Sequence, residues 1–191
     1  MNIKSEIISN SLKEARENID RLVSQREKIL QATNLIYNAV SKENKVLLCG
    51  NGGSAADCQH IAAELVGRFK IERPGLAAIA LTTDTSIITA LANDYDYERI
   101  FGRQVEALGR KGDVLIAIST SGNSKNIIYA IECAKKRDMK IIILSGNDGG
   151  NIRNLGDVTL IVSSNDTAHI QEAHMVMYHI ICQLIDEEFK K

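Results

Sequence analysis

The sequence predicts an α/β fold in which helices cover both faces of one parallel sheet. Short aliphatic runs alternate with amphipathic stretches of helical period along the 191 residues. The runs lack an apolar–polar alternation, which is typical of strands buried on both faces of a parallel sheet. Each run is followed by a polar loop, as expected where ligands bind outside the carboxyl ends of parallel strands.

Length and composition limit the possible functions. The chain fits one domain, residues 1–191, with N-terminal helices over 1–42 and an α/β core over 43–191. A net charge of −1 argues against a general nucleic-acid or membrane-surface binder. No apolar run approaches the ~20 residues that span a bilayer. Residues 1–16 lack the apolar core of a signal peptide. Four scattered cysteines without a C-x-x-C pair indicate reduced thiols, so we expect a cytoplasmic protein.

Two amphipathic helices come first. Apolar residues recur every three or four positions over residues 3–23, and the pattern continues from Ile29 to about Ser41. These apolar stripes can be buried on the chain's own sheet or against the same helices of a sister subunit. We favour the second arrangement, a helical bundle between subunits.

The rest of the chain is organised around residues 45–64. Residues 46–49 form an apolar run that predicts the first strand. Three glycines within residues 50–53 predict a tight turn, and Ser54 stands where we expect the N-cap of a helix from Ala55. A strand, a glycine turn and a helix N-terminus together make an anion site.

The same helix carries His60 and Glu64, which are four residues apart and therefore lie one above the other. They face away from the apolar side formed by Cys58, Ile61 and Leu65. One interpretation is a solvent-exposed ion pair. The alternative is a pair that takes part in chemistry.

The remaining elements continue the alternation. Strands are predicted over residues 76–81, 114–118, 141–144 and 158–162. Helices are predicted over residues 86–92, 98–108, about 124–136 and 168–188. The loops at the strands' carboxyl ends, which should open on one edge, are residues 50–54, 82–86, 119–124, 145–150 and 163–167.

The loop after the third predicted strand is suited to a phosphate monoester. Its four hydroxyls belong to Ser119, Thr120, Ser121 and Ser124, and a helix follows directly. Hydroxyls and the N–H groups of a helix N-terminus bind phosphate without requiring a lysine. The alternative is a polar turn with a serine cap.

A nucleotide site is the weaker interpretation of the glycine turn. Gly50, Gly52 and Ala55 fit the pattern Gly-x-Gly-x-x-Ala of dinucleotide-binding proteins. The next predicted strand ends in Leu81-Thr-Thr83, however, where that pattern requires an acid. No Gly-Lys-Ser/Thr of a Walker loop is present.

The last predicted helix adds Gln171 and His179. His60, Glu64 and His179 offer two imidazoles and a carboxylate, a set that suits a zinc-type ion, and Gln171 is a candidate fourth ligand. Gln171 and His179 are eight residues apart, a rise of roughly 12 Å. Joint ligation therefore requires that their side chains lean towards each other.

Three motifs resemble those of the sugar isomerase (SIS) domain family: Gly50-Asn-Gly-Gly-Ser54, Ser119-Thr-Ser-Gly-Asn-Ser124 and Ile170-Gln-Glu-Ala-His174. Within that family the chain is similar, over nearly its whole length, to enzymes that isomerise heptose phosphates. The resemblance implies a single SIS domain of flavodoxin-like fold and a sugar-phosphate substrate. It also implies a homotetramer with active sites between subunits.

The resemblance further implies conversion of D-sedoheptulose 7-phosphate to D-glycero-D-manno-heptose 7-phosphate, the first step towards the heptose of lipopolysaccharide or other surface glycans. The implied zinc ligands are His60, Glu64, Gln171 and His179. The implied substrate contacts are Asn51, Gly52, Gly53, Ser54, Asp94, Ser119, Thr120, Ser121, Ser124 and Gln171. Family members often carry Asp-Asp-Thr-Ala-Arg where this chain reads Asn165-Asp-Thr-Ala-His169.

Such an isomerisation moves a proton between adjacent carbons through an enediol, so it needs a base and a group that stabilises oxyanion charge. Our hypothesis assigns the proton transfers to Glu64 and His179, with Zn²⁺ polarising the substrate oxygens.

Two other interpretations are open. Glu72-Arg-Pro-Gly75 and Arg137-Asp-Met-Lys140 also resemble a non-catalytic SIS-family protein that binds the bacterial replication initiator. That resemblance implies loss of the acid and the second histidine, which this chain keeps as Glu64 and His179. A sugar-phosphate sensor would need a DNA-binding segment, which the sequence lacks.

Overall fold

The computed structural model describes residues 2–190; Met1 and Lys191, the two ends of the predicted domain, lie outside the described residues. The strands are β1 (Val46–Gly50), β2 (Ala78–Ala80), β3 (Val114–Ser119), β4 (Lys140–Gly146) and β5 (Val158–Val162). They form one parallel sheet in the order β2-β1-β3-β4-β5. This is the flavodoxin-like order, so the predicted fold class is confirmed.

The α-helices of the described chain are α1 (Ile3–Arg21), α2 (Arg26–Val40), α3 (Gly53–Val66), α4 (Thr85–Asp94), α5 (Gly102–Leu108), α6 (Lys125–Lys136) and α7 (Thr167–Glu188). Three short 3-10 turns lie at residues 22–25, 97–99 and 150–152. None of the helices within residues 2–190 combines the length and apolar character that a bilayer crossing requires.

Both faces of the sheet are buried, because alternate residues of each strand enter two separate cores. In β3, Val114 and Ile116 pack with α2, α3 and α7, whereas Leu115 and Ala117 pack with α5 and α6. The central strands β1 and β3 are buried at every position. The four cysteines are free and buried, as predicted for reduced core thiols.

Several predicted elements have different bounds in the structure, among them the strand predicted over 141–144, which runs over Lys140–Gly146. The strand predicted over 76–81 pairs only over Ala78–Ala80, and Ile79 is 39% exposed because β2 lies at the sheet's edge with β1 as its partner. Helix α4 extends to Asp94, beyond the predicted end. Helix α5 begins at Gly102, because residues 97–99 form a 3-10 turn.

The prediction that Ser54 caps α3 is wrong. The N-cap is Gly52, whose φ of 55° lies in the left-handed region that favours glycine, so the helix begins at Gly53. A Cβ on Gly50 would lie 2.6 Å from the Ser54 carbonyl oxygen, which shows how tightly the turn closes. Ser54 is therefore a buried residue of the first helical turn.

The two N-terminal helices bury their apolar stripes differently. In α2, Ile29, Ala32 and Ile36 enter the core beside the sheet, so the chain covers this stripe itself. On α1 the stripe is uncovered, and its exposed members, Ile3, Ile7, Ile8 and Leu12, are 59–70% exposed. Of the two N-terminal stripes, that of α1 is thus the one that the single chain leaves uncovered.

Candidate active site

The candidate site lies at the carboxyl ends of β1 and β3. These strands are neighbours, with Gly50 in register with Ile118, but the chain continues from β1 towards one edge of the sheet and from β3 towards the other. Flavodoxin-like sheets bind ligands at this switch point. The glycine turn after β1 and the hydroxyl loop after β3 therefore lie side by side. The N-termini of α3 and α6 add free N–H groups and the positive ends of their dipoles.

Hydrogen bonds shape the hydroxyl loop. The Ser119 hydroxyl donates to the Ser124 hydroxyl at 3.2 Å, and the Ser145 hydroxyl donates to the Ser119 carbonyl at 3.0 Å. Ser124 is the N-cap residue of α6, yet its side chain makes no capping hydrogen bond, so a serine-capped turn does not explain this loop. Ser121 accepts from the Asn123 N–H at 3.2 Å, and Thr120 is half-buried.

A reciprocal amide pair fixes Asn51 in the glycine turn. Asn51 Nδ2 donates to Asn126 Oδ1 at 2.9 Å, and Asn126 Nδ2 donates to Asn51 Oδ1 at 2.8 Å. The Tyr97 hydroxyl also donates to Asn51 Oδ1, at 3.3 Å. Asn126 is buried, and neither it nor Tyr97 carries a motif that would have identified it from the sequence. Asp94, three residues before Tyr97, is exposed and accepts from Asn93 at 2.9 Å.

Helices α3 and α7 run side by side in the same direction. They therefore bring predicted site residues together at two separate levels along their length. Near the glycine turn, a Cβ on Gly53 would lie 2.5 Å from the Gln171 amide nitrogen, so this glycine leaves space for Gln171. About two helical turns further along, the ring centroids of His60 and His179 are 5.0 Å apart. Glu64 Oε1 lies 3.1 Å from His60 Nε2.

His179 is enclosed by aromatic rings. The Phe69 ring stacks on it at 5.5 Å, and the His60 and Tyr178 rings meet it edge-on. Burial, and to a smaller extent the neighbouring His60, lowers the pKa of His179. Its imidazole is thus favoured in the neutral form, which can accept a proton or bind a metal ion.

Tyr178, which no motif in the sequence indicates, links His60 to a buried acid. Its hydroxyl lies 3.0 Å from His60 Nδ1 and donates to Asp57 Oδ1 over a long 3.4 Å. Burial raises the pKa of Tyr178, so the hydroxyl keeps its proton. Burial also raises the pKa of Asp57, and the Tyr178 hydrogen bond and His60 offset part of that effect.

The donor types at this site fit Zn²⁺, but the side chains are not gathered around one point. His60, Glu64 and His179 supply imidazole nitrogens and a carboxylate, and the contact at His60 Nδ1 directs Nε2 towards Glu64. Within residues 2–190, however, no three His, Cys, Asp or Glu side chains are arranged to hold a metal ion. Gln171 lies against Gly53, roughly 12 Å along α7 from His179.

A buried ion pair holds the end of α3 to α7. Arg73 Nε donates to Asp186 Oδ1 at 2.8 Å, and both side chains are 1% exposed. The same guanidinium donates to the carbonyls of Glu64 and Leu65, at 2.8 and 2.9 Å. It thereby satisfies carbonyl groups that the last turn of a helix leaves free. Asp186 also accepts from the Lys70 N–H, next to Phe69.

Comparison with known proteins identifies the family of the chain. Residues 11–146 match the family model described as the SIS domain. A protein named phosphoheptose isomerase from Helicobacter pylori (strain P12) is 56% identical over 168 residues, 88% of each chain. Solved structures of phosphoheptose isomerases from Neisseria gonorrhoeae and Francisella tularensis are 43% and 39% identical, with TM-scores of 0.87 and 0.92. They cover 97% and 98% of this chain and 100% of their own. The chain therefore belongs to the SIS domain family, and within it to the phosphoheptose isomerases.

Proposed function

We propose that this protein isomerises D-sedoheptulose 7-phosphate to D-glycero-D-manno-heptose 7-phosphate. The identity of 56% to a protein named phosphoheptose isomerase supports the seven-carbon substrate. The observation that carries the reaction type is the position of His60 and Glu64 on the helix that begins at the anion-binding glycine turn, with the His179 ring 5.0 Å from the His60 ring.

The phosphate and the sugar chain would bind at the two loops. Ser54, Ser119, Thr120, Ser121 and Ser124, with the N-termini of α3 and α6, would hold the phosphate. Asn51, Gly52, Gly53, Asp94 and Gln171 would hold the sugar hydroxyls. Binding energy gained at the phosphate, away from the reacting carbons, can then be used to orient the other end of the substrate.

Glu64 and His179 would share the proton transfers. A proton leaves C1 of the ketose to give the enediol and a proton is returned to C2, while a second proton moves from O1 to O2. The net change moves two hydrogens and needs no oxidant. A carboxylate and a neutral imidazole are suited to this exchange, and burial keeps His179 in that neutral form.

We further propose a Zn²⁺ site at His60, Glu64 and His179, with Gln171 as the fourth ligand. Bound Zn²⁺ would polarise the oxygens on C1 and C2 of the substrate. The donor types support this proposal. Because Gln171 lies beside the glycine turn, its amide would have to turn along α7 to join the other three ligands.

We propose that the protein assembles as a homotetramer with active sites between subunits. Residues 1–191 of each subunit would act as one SIS domain. The uncovered apolar stripe of α1 supports an interface. So does the openness of the site in one chain, where the side chains of His60 and Glu64 are 39% and 22% exposed. We also propose a cytoplasmic enzyme, supported by its free cysteines, whose product supplies heptose for lipopolysaccharide or other surface glycans.

The test is turnover of sedoheptulose 7-phosphate by wild type and Glu64→Gln, with and without a chelator. Loss of a positioned acid–base group should lower kcat by roughly 10²–10⁴-fold. Glu72→Gln is the matched control, because the Glu72 side chain is 90% exposed. Circular dichroism should show the same fold for all three proteins. Full activity of Glu64→Gln would remove Glu64 from the mechanism.

Binding of the replication initiator is not favoured as the function. The relatives and solved structures reported above are named for isomerase activity. Glu64 and His179, whose counterparts the binding protein is expected to lack, both lie close to the imidazole of His60. If the wild-type protein did not isomerise sedoheptulose 7-phosphate but bound the initiator protein, initiator binding would become the favoured function.

A further inference from the structure

A buried histidine on α7 reaches the end of β4, next to the hydroxyl loop of residues 119–124. His174 is 0% exposed, and its Nε2 lies 3.1 Å from the carbonyl oxygen of Ser145. A carbonyl oxygen only accepts, so the ring proton is on Nε2, which donates. Burial lowers the pKa of His174 to about 4, so the imidazole is a neutral donor at neutral pH.

Ser145 connects this histidine with the hydroxyl loop. It is 0% exposed and is in register with Ser119 of β3. Its hydroxyl donates to the Ser119 carbonyl at 3.0 Å and lies 3.3 Å from the Gly149 carbonyl. The Ser119 carbonyl also accepts from the Gly122 N–H at 3.1 Å, a bond that closes the first turn of the hydroxyl loop. The position of Ser145 therefore fixes the start of that loop.

The contacts continue into the groups that are proposed to hold the phosphate. The Ser119 hydroxyl donates to the Ser124 hydroxyl at 3.2 Å, so Ser124 keeps its own proton for another acceptor. The backbones of the two loops also approach closely, since a Cβ on Gly146 would lie 2.5 Å from the Thr120 carbonyl oxygen. A shift at the end of β4 would thus displace the hydroxyl loop.

We propose that His174 is a positioning residue for phosphate binding, which holds Ser145 and thereby keeps the Ser119 carbonyl and the hydroxyl loop in the geometry that binds an anion. The inference rests on the phosphate site proposed at this loop. His174 ends the motif Ile170-Gln-Glu-Ala-His174, and none of the site contacts proposed above uses it.

Core packing alone explains His174 poorly. Its Nδ1 is buried without a hydrogen-bond partner among the described residues. A buried polar atom left unpaired costs stability, and an apolar side chain of similar volume would avoid that cost. What the histidine adds to this position is the hydrogen bond to Ser145.

The experiment measures the Kd of the full-length protein for inorganic phosphate by ³¹P NMR line broadening, which requires no turnover. His174→Leu removes the donor at similar volume and should weaken binding about tenfold, the effect of one misplaced hydrogen bond. His174→Met, whose flexible side chain adapts to irregular core space, is a second variant without the donor. His174→Gln keeps an N–H donor and should recover most of the affinity. Met177→Leu, at a buried position of the same helix, is the control.

A double variant and the kinetics separate a positioning role from a general loss of packing. Ser145→Ala removes the hydroxyl and should weaken binding as His174→Leu does. The double variant should lose little more than either single variant, because both act through the Ser119 carbonyl, whereas independent effects would multiply to about a hundredfold. KM for sedoheptulose 7-phosphate should rise in parallel with Kd while kcat changes less than about threefold, as expected for lost ground-state binding.

If wild type binds phosphate but both His174 variants without the donor bind within about twofold of it, the positioning role is overturned and the phosphate site stands. Equal weakening in Met177→Leu, or multiplied losses in the double variant, would also overturn it. If wild type binds no phosphate, or if Ser124→Ala leaves the Kd unchanged, the proposed phosphate site fails and the inference falls with it. Phosphate binding that weakens as expected, without turnover of sedoheptulose 7-phosphate, would refute the proposed reaction and still establish the positioning role.

Discussion

The buried pair of Arg73 and Asp186 offers the sharpest test of how the site is held together. Asp186→Asn keeps the shape of the side chain and one acceptor oxygen for the Lys70 and Ile71 N–H groups, but removes the charge. The Arg73 guanidinium, 1% exposed, then remains buried without its counter-charge. Breaking a buried pair in this way costs about 3–5 kcal/mol.

We expect a loss near the lower end, about 3 kcal/mol, because Arg73 keeps its bonds to the carbonyls of Glu64 and Leu65. For a chain of this size that corresponds to a fall in Tm of roughly 6–12 °C. The isomerase activity should fall as well, because Arg73 connects the last turn of α3, which carries Glu64, with α7.

The measurement is urea unfolding at one fixed protein concentration, with thermal unfolding as a second readout. Asp157→Asn is the matched control, because the Lys140–Asp157 pair is exposed, with side chains 55% and 33% accessible. Exposed pairs contribute at most about 1 kcal/mol. If Asp186→Asn cost no more than this control, the ion pair could not be what joins α3 to α7.

Three further predictions follow from exposure, hydrogen bonding and charge. Leu12→Lys on the uncovered stripe of α1 should lower the mass of the assembly measured by light scattering, because each apolar side chain buried at an interface contributes about 1.5–3 kcal/mol. The control Glu6→Lys, on the polar side of the helix, should leave that mass unchanged. An unaltered mass for both variants would exclude this stripe as the interface. Asn126→Ala removes the partner that orients the Asn51 amide. KM for the sugar phosphate should therefore rise about tenfold, as expected when one oriented hydrogen bond to the substrate is lost. An unchanged KM would contradict a substrate-binding role for Asn51. Burial alone would raise the pKa of Asp186, but hydrogen bonds from backbone N–H groups and a guanidinium outweigh it, and the net pKa lies below the ordinary value of 3.8. Its contribution to stability is thus complete well above 3.8 and is lost as the pH falls from there through the folded-state pKa. The difference in the free energy of unfolding between wild type and Asp186→Asn should therefore narrow as the pH is lowered through and below 3.8, and a constant difference would refute the assignment.

Local patterns in the sequence were sufficient for most of the fold. Aliphatic runs followed by polar loops predict parallel strands, and the handedness of the crossovers leaves few ways to order them. The i, i+4 spacing of His60 and Glu64 likewise predicts their contact, which is 3.1 Å in the structure. These features depend on neighbours within about one helical turn, so the sequence alone could determine them.

The contacts that complete the site depend on the tertiary structure. Tyr178 and His60 are 118 positions apart, Arg73 and Asp186 are 113 apart, and Asn51 and Asn126 are 75 apart. Which of many polar side chains becomes the partner is decided by how α3 packs on α7 and how α6 packs on the sheet, and no local periodicity records that packing. The start of α3 at Gly53 was decided in the same way, by the close approach of the turn's backbone at Gly50. The sequence by itself thus determined the strands, the loops and the residue types of this site, whereas helix packing decided which side chains hold one another in place.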